Sequence, residues 1–430
     1  MNRISKQVFH VIPSEMICGD MVVPGDKSIS HRAVILSSLS NATTMIENIL
    51  LGDDVLSTIH IMRELGVEIS LENTTCEIQG VGLYGLKPPK NPLNCGNSGT
   101  SMRLLAGILS AQQFNSILIG DASLMKRPML RVAEPLRLMG ASITLSKNNT
   151  APIDIIGGQK LKAIHYESII PSAQVKSAIL LAGLYAEGKT SVREKTKTRD
   201  HTEKMMQLFG KSPLAPLFQR GEMKIPGDIS SAAFFIVLAA ITKNADITMR
   251  QVGVNPFRTG IIDILKLMGA NITIFNEIFF ELEPVADIRI QYAPLHGIEI
   301  PADLISKSID EFPAIFIAAV TAVGKTILRG ASELRVKESD RIKTMVNALR
   351  ALGIQVQEYD DGVSIEGNQV FQGGCVDSHG DHRVAMAFSV AGHIAKNPIF
   401  IDNCELVKTS FPNFVELARQ VGMNICLQSQ

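Results

Sequence analysis

"VPGDKSISHRAVILSSLS" occupies residues 23–40, and "IPGDISSAAFFIVLAAI" occupies residues 225–241. Both stretches open with a Pro-Gly-Asp turn and run on into apolar and small residues. Such a run is long enough for a buried helix and too short to span a bilayer. The chain thus restarts near Ile225, which predicts two domains built on one plan.

A second pattern runs outward from this pair. "RELGVEI" carries Gly66, "RLMGASI" Gly140, "QLFGKS" Gly210, "KLMGANI" Gly269, "RALGIQV" Gly353 and "RQVGMNI" Gly422. Each reads as an amphipathic helix closed by a left-handed glycine, usually with a β-branched strand after it. The glycines recur about every 70 residues. Each interval also holds a more apolar helix, at 30–40, 101–111, 174–186, 230–241, 312–323 and 382–395. A helix apolar on all sides belongs inside a core. The expected class is therefore α/β (α+β), with three units in each of two domains. One domain is expected over 23–224. The other takes 225–430 plus 1–22, the opening residues returning to it as a strand. Hinges are expected near 21–24 and 222–227.

Lys+Arg and Asp+Glu both number 42, hydrophobic residues make up 46% and charged residues 20%. Zero net charge argues against broad nucleic-acid or anionic-membrane binding, so any anion site is local. The six cysteines show no metal-ligand spacing and read as free thiols of a reducing cytosol. The first residues carry no secretory pattern. A cytoplasmic monomer with no metal and no cofactor is the expectation.

Polar clusters sit at the helix starts. In "PGDKSISHR" Lys27, Ser28 and Arg32 suit a helix N-terminus that cradles an anion. The restart copy keeps the scaffold and loses Lys27, His31 and Arg32, so these are not needed for the fold. "NCGNSGTSMR" offers a glycine nest at Gly96 and Gly99, followed by Thr100 and Arg103. "LMKRP" adds Arg127, "PSAQVKSA" adds Ser172, Gln174 and Lys176, and "KTRDHTE" adds Arg199 and His201 on an expected loop. The acids lie in the second half. "SIDEFPA" holds Asp310 and Glu311, and "ELRVKESDRIK" packs Arg335, Lys337, Glu338, Asp340 and Arg341, with Lys337 and Arg341 at helical spacing. "HGDHR" and "KTSFP" supply His382, Arg383 and Lys408. Taken singly, each cluster is explained by capping or a solvated charged face. Their joint recurrence at helix starts of both halves predicts a shared site for small, multiply anionic substrates and acid–base chemistry.

In order along nearly the whole chain, these segments resemble the 5-enolpyruvylshikimate-3-phosphate synthases of the enolpyruvyl transferase family. The resemblance implies two similar lobes, each of three βαβαββ repeats with buried helices (an inside-out α/β barrel), joined by two crossing hinge strands. It implies transfer of the enolpyruvyl group of phosphoenolpyruvate to the 5-hydroxyl of shikimate 3-phosphate. The route is addition and elimination through a tetrahedral intermediate, on the pathway to chorismate. By motif, shikimate 3-phosphate meets Lys27, Ser28, Arg32, Ser172, Ala173, Gln174, Arg199, Asp310 and Lys337. Phosphoenolpyruvate meets Lys27, Gly99, Arg127, Gln174, Arg341, Arg383 and Lys408. Asp310, Glu338 and Lys27 are the implied catalytic groups. Two departures stand out: Ala173 where some members have Ser, and Glu333 where some have Asn. Gly99, where insensitive members carry Ala, implies competition by glyphosate. Two rivals are an enolpyruvyl transferase acting on UDP-N-acetylglucosamine and a non-catalytic anion-binding protein. The Lys-Asn pair usual in the first is Lys27-Ser28 here, and residues 111–135 lack its cysteine. Acids in the site disfavour the second.

Overall fold

The computed structural model describes residues 7–209 and 221–429. Gly210, expected to close one helix, lies outside them. The described residues fall into two compact units, one within Met1–Pro24, Pro226–Phe279 and Pro284–Gln430, the other within Gly25–Ile225 and Phe280–Glu283. The chain passes between units at Pro24–Gly25 and Ile225–Pro226, and again on either side of Phe280–Glu283.

Glycine closes the amphipathic helices for a backbone reason. Gly66, Gly140, Gly269, Gly353 and Gly422 all have φ between +85° and +110°. In each case the next residue's N–H reaches a carbonyl five residues back, as from Val67 to Met62 (3.0 Å) and from Met423 to Ala418 (2.9 Å). Only glycine takes this conformation without strain. A second device repeats with it. Arg63, Arg137, Arg350 and Arg419 each donate from the helix's last turn to a strand carbonyl six residues on, at Ile69, Ile143, Val356 and Ile425. That bond fixes the angle at which the strand leaves the helix.

The sheets are small and share one order. In the unit of residues 25–225, strand Leu93–Asn94 pairs parallel with Ser116–Ile119, which pairs antiparallel with Ile153–Ile156, and Ser142–Leu145 completes the sheet. The preceding sheet repeats this with Thr43–Glu47, Thr75–Gln79 and Glu68–Glu72, but its first strand is Gly221–Lys224 from the unit's far end. In the other unit the sheet of Asp246–Gly253 takes its first strand, Cys18–Met21, from before the crossing. Gln7–Ile12 lies between Ile399–Asp402 and Asn424–Ser429. The strand before each Pro-Gly-Asp turn thus pairs in the opposite unit to the helix after it. Two copies of the implied repeat are shorter. The third sheet of the 25–225 unit has two strands among the described residues, and one in the other unit begins with an isolated bridge, Glu299 to Ile327.

The apolar helices form the cores. Ile229–Ile241 is buried at every position, as is His382–His393, and Phe312–Thr321 is buried but for its last residue. In the 25–225 unit the corresponding helices are Lys27–Leu39, Gly99–Leu109 and Ala173–Ala182. The last two touch backbone to backbone: a Cβ on Gly107 would sit 2.3 Å from the Ala178 carbonyl oxygen. Several serines inside these helices satisfy their hydroxyls on carbonyls four residues back, as from Ser177 to Ala173 and Ser389 to Ala385. No described helix is long and apolar enough to cross a membrane.

Candidate active site

In the 25–225 unit the buried helices bring their N-terminal residues together. Asp26 caps the first helix by accepting from the Ile29 N–H at 2.8 Å. Lys27 then reaches Asp54 Oδ2 at 2.9 Å. Arg32, one turn on and buried, donates to the Ser28 carbonyl (2.8 Å), to Ser177 Oγ (2.6 Å) and to Thr202 Oγ1 (2.6 Å). Arg199 donates to Ser28 Oγ at 3.1 Å. Ser172 caps the third helix by accepting from Val175 N–H, and Ala173 is the helix's first residue. Gln174 joins the third helix to the second, accepting from Arg103 at 2.5 Å and donating to Thr100 Oγ1 at 2.9 Å. Arg127 holds Asn97 Oδ1 at 2.6 Å. A Cβ on Gly99 would lie 2.7 Å from Arg103 Nη1 and 3.3 Å from Arg127 Nη1, so glycine is what lets two guanidinium groups close over the helix start. Beneath them His31 is buried against Thr58 Oγ1 (2.8 Å). Burial, with Lys27 and Arg32 nearby, holds its pKa well below the usual histidine value. It is therefore a neutral support for the cations around it.

The other unit builds its helix starts from acids. Arg341, 1% exposed, donates to Asp381 Oδ2 (2.8 Å), Glu338 Oε2 (2.5 Å) and Asp310 Oδ1 (3.3 Å). Burial opposes its charge, but Asp381, Glu338 and Asp310 outweigh burial and raise its pKa further. Lys337 Nζ lies 3.7 Å from Asp310 Oδ1. Burial lowers the lysine's pKa against the pull of Asp310 and Glu333. Arg383 donates to the Asp310 carbonyl at 3.1 Å, and its own N–H is capped by Asp381 Oδ1 at 3.0 Å. Glu311 is buried and takes the Ser230 hydroxyl, which itself accepts from Arg258 at 2.8 Å. Burial pushes the Glu311 carboxyl up. Arg383 opposes this shift, Asp310 reinforces it and Arg258 opposes it.

Two groupings of the expected residues emerge. Ser28 and Arg32 join Arg199, while Gln174 joins Gly99 and Arg127 through Arg103. Asp310, Lys337, Glu338, Arg341 and Arg383 form the second set. Lys408 is exposed on the short 3-10 helix Glu405–Thr409. Two local expectations are corrected. His201 is not on a loop: it opens helix His201–Leu208 and is buried, because Lys204 N–H closes the first turn on the Asp200 carbonyl. Lys337 and Arg341 do not share a helix. Lys337 is extended between the 3-10 helix Ser332–Val336 and the helix beginning at Arg341, so the spacing of one helix is not what brings both to Asp310. Asp54, Asp381, Arg258 and Glu194 were missed. Asp381 stood in the quoted "HGDHR", where its capping position next to Arg383 was the available signal.

Residues 11–417 match the family model described as EPSP synthase (3-phosphoshikimate 1-carboxyvinyltransferase). A 3-phosphoshikimate 1-carboxyvinyltransferase of Methylococcus capsulatus is 53% identical over 97% of this chain and 98% of its own. One from Legionella pneumophila is 50% identical over 99% of each. A solved EPSP synthase from Acinetobacter baumannii superposes with a TM-score of 0.87 at 49% identity, covering 98% of this chain and all of that one. Full-length identity at this level, on a fold that keeps the motif residues at its helix starts, places the chain in the EPSP synthase family.

Proposed function

We propose that the helix starts of the 25–225 unit chiefly bind, and those of the other unit chiefly move protons, in the family's reaction. The chain is a shikimate-pathway transferase: the enolpyruvyl group of phosphoenolpyruvate passes to the 5-hydroxyl of shikimate 3-phosphate, and phosphate leaves. Each substrate carries a phosphate and a carboxylate, which suits a site rich in arginine and lysine. Ser28, Arg32, Ser172, Ala173, Gln174 and Arg199 take shikimate 3-phosphate, with Asp310 and Lys337 at its reacting side. Gly99, Arg127, Gln174, Arg341, Arg383 and Lys408 take phosphoenolpyruvate, together with Lys27.

Asp310 removes the proton of the 5-hydroxyl as its oxygen attacks C2 of phosphoenolpyruvate. Glu338, with Lys27, delivers a proton to the methylene carbon, giving a tetrahedral adduct. Return of a methyl proton to Glu338 restores the double bond and breaks the bond to phosphate, which leaves with the proton held by Asp310, so both acids regain their starting state. The observation that carries this reading is Arg341, buried against Asp310, Glu338 and Asp381 together. A charge held this tightly does not reorganise during reaction, which is how preorganised sites lower barriers.

The test is phosphate release from phosphoenolpyruvate with shikimate 3-phosphate or UDP-N-acetylglucosamine as acceptor, chelator present. Release with shikimate 3-phosphate alone is expected. Release with the UDP-sugar would overturn the acceptor, and release with neither would overturn the activity.

A further inference from the structure

Lys176 is not accounted for by the reaction above. It lies on the same helix as Ser172 and Gln174, yet it points into the unit and its side chain is 4% exposed. Its ammonium reaches Glu194 Oε2 at 2.8 Å, Glu203 Oε1 at 2.7 Å and the Thr198 carbonyl at 3.4 Å. Glu194 ends strand Ser191–Glu194, and Glu203 is in the first turn of helix His201–Leu208. Lys176 thus bridges both ends of the segment 195–200. Glu194 grips the middle of that segment, accepting from the Thr198 hydroxyl and from the Thr198 N–H at 3.5 Å.

Arg199 follows immediately and donates to Ser28 Oγ. Ser177, next to Lys176 on its helix, shares a bond with Thr202 Oγ1 at 2.7 Å, and both hold Arg32. A buried lysine with two carboxylates is costly to desolvate and adds little net stability, so its value lies in the geometry it enforces. The geometry enforced here is that of a segment bearing one arginine against a serine of the anion site.

We propose that Lys176 is a positioning residue. With Glu194 and Thr198 it fixes segment 195–200 so that Arg199 lies against Ser28, and it thereby sets the site's preference for a phosphorylated over an unphosphorylated shikimate. This rests on the reading that Arg199 serves the phosphate of shikimate 3-phosphate.

The experiment compares dissociation constants of shikimate 3-phosphate and shikimate by calorimetry, on the full chain. The variants are Lys176→Met, Thr198→Val and Arg199→Ala, each with KM for phosphoenolpyruvate and a thermal melt. Lys176→Met and Arg199→Ala should each cut the phosphate preference about tenfold or more, as expected for a lost charge-assisted contact. Thr198→Val, which leaves the charged cluster intact, should cut it about threefold. KM for phosphoenolpyruvate should stay within about twofold throughout. If Arg199→Ala lowers the preference and folded Lys176→Met does not, Lys176 is only structural and the inference fails while the site reading stands. If Arg199→Ala leaves the preference unchanged, the site reading fails and the inference with it. Should Lys176→Met not fold, Thr198→Val decides alone: an unchanged preference overturns the proposal.

Discussion

The two Pro-Gly-Asp turns begin alike and end differently. Asp26 and Asp228 both cap the helix that follows, accepting from Ile29 N–H and Ser230 N–H. Ser28 and Ser230 then occupy the same place in the turn. Ser28 is half-buried and accepts from Arg199. Ser230 is buried, accepts from Arg258 and gives its hydroxyl to Glu311. The residue before the third buried helix of the 25–225 unit is Ser172, and the one before Phe312–Thr321 is Glu311. Where Ser172 stands in one copy, Glu311 stands in the other, and it takes the Ser230 hydroxyl. In the 25–225 unit the serine meets an arginine; in the other unit it meets an arginine and an internal carboxylate, and the neighbouring Asp310 lies within reach of Arg341 and Lys337.

That contrast can be broken at several points. Arg341→Met should have the largest effect on stability, because Asp310, Glu338 and Asp381 lose their shared cation. Stranding the buried Asp381 carboxylate costs about 3–5 kcal/mol, readable as a drop in the urea midpoint. An unchanged midpoint would mean that these acids are not held by Arg341.

Gly99→Ala tests the receiving side. The new Cβ meets two flexible guanidinium ends rather than backbone. Folding should survive within about 1 kcal/mol while KM for phosphoenolpyruvate rises about tenfold. Equal loss of shikimate 3-phosphate binding would show that the two substrates do not divide there.

Glu311→Gln tests the internal carboxyl by its pH dependence. Its pKa is raised by burial, so the folded state favours the protonated form. The stability this contributes is fully present below the unfolded carboxyl value of about 4.3 and is lost as pH rises through the folded value. The amide variant cannot ionise, so its stability relative to the parent should improve as pH rises, by up to about 1.4 kcal/mol per pH unit across that window. Urea midpoints at several pH values between 4 and 8 read this, and a pH-independent difference would contradict it.

Local signals were legible in the sequence. The C-terminal glycines could be read because only glycine occupies the left-handed position cheaply, and the core helices because they are apolar on every side. Lys27, Arg32, Asp310 and Glu338 stood out only through the joint recurrence of charged clusters and the family resemblance, since capping or a solvated face explains each cluster singly. What stayed hidden depends on residues far apart in sequence. Which strand pairs with Cys18–Met21 or with Gly221–Lys224 leaves no local trace, since a strand's pattern does not name its partner. Lys27 with Asp54 and Arg341 with Asp381 pair across 27 and 40 residues. Those partners sit in amphipathic or capping positions where an acid is unremarkable. The 333–343 run misled because regular spacing suggests one helix, whereas extended Lys337 divides it.

The most direct measurement sets Asp310→Asn beside Arg32→Ala and reads both kcat and calorimetric affinity for shikimate 3-phosphate. Asp310→Asn should lower kcat by about 10²–10⁴ while the dissociation constant moves only a few-fold. Arg32→Ala should weaken binding by about tenfold or more. If Asp310→Asn lost affinity as steeply as rate, or kept its rate, the division between a binding unit and a proton-moving unit would be wrong.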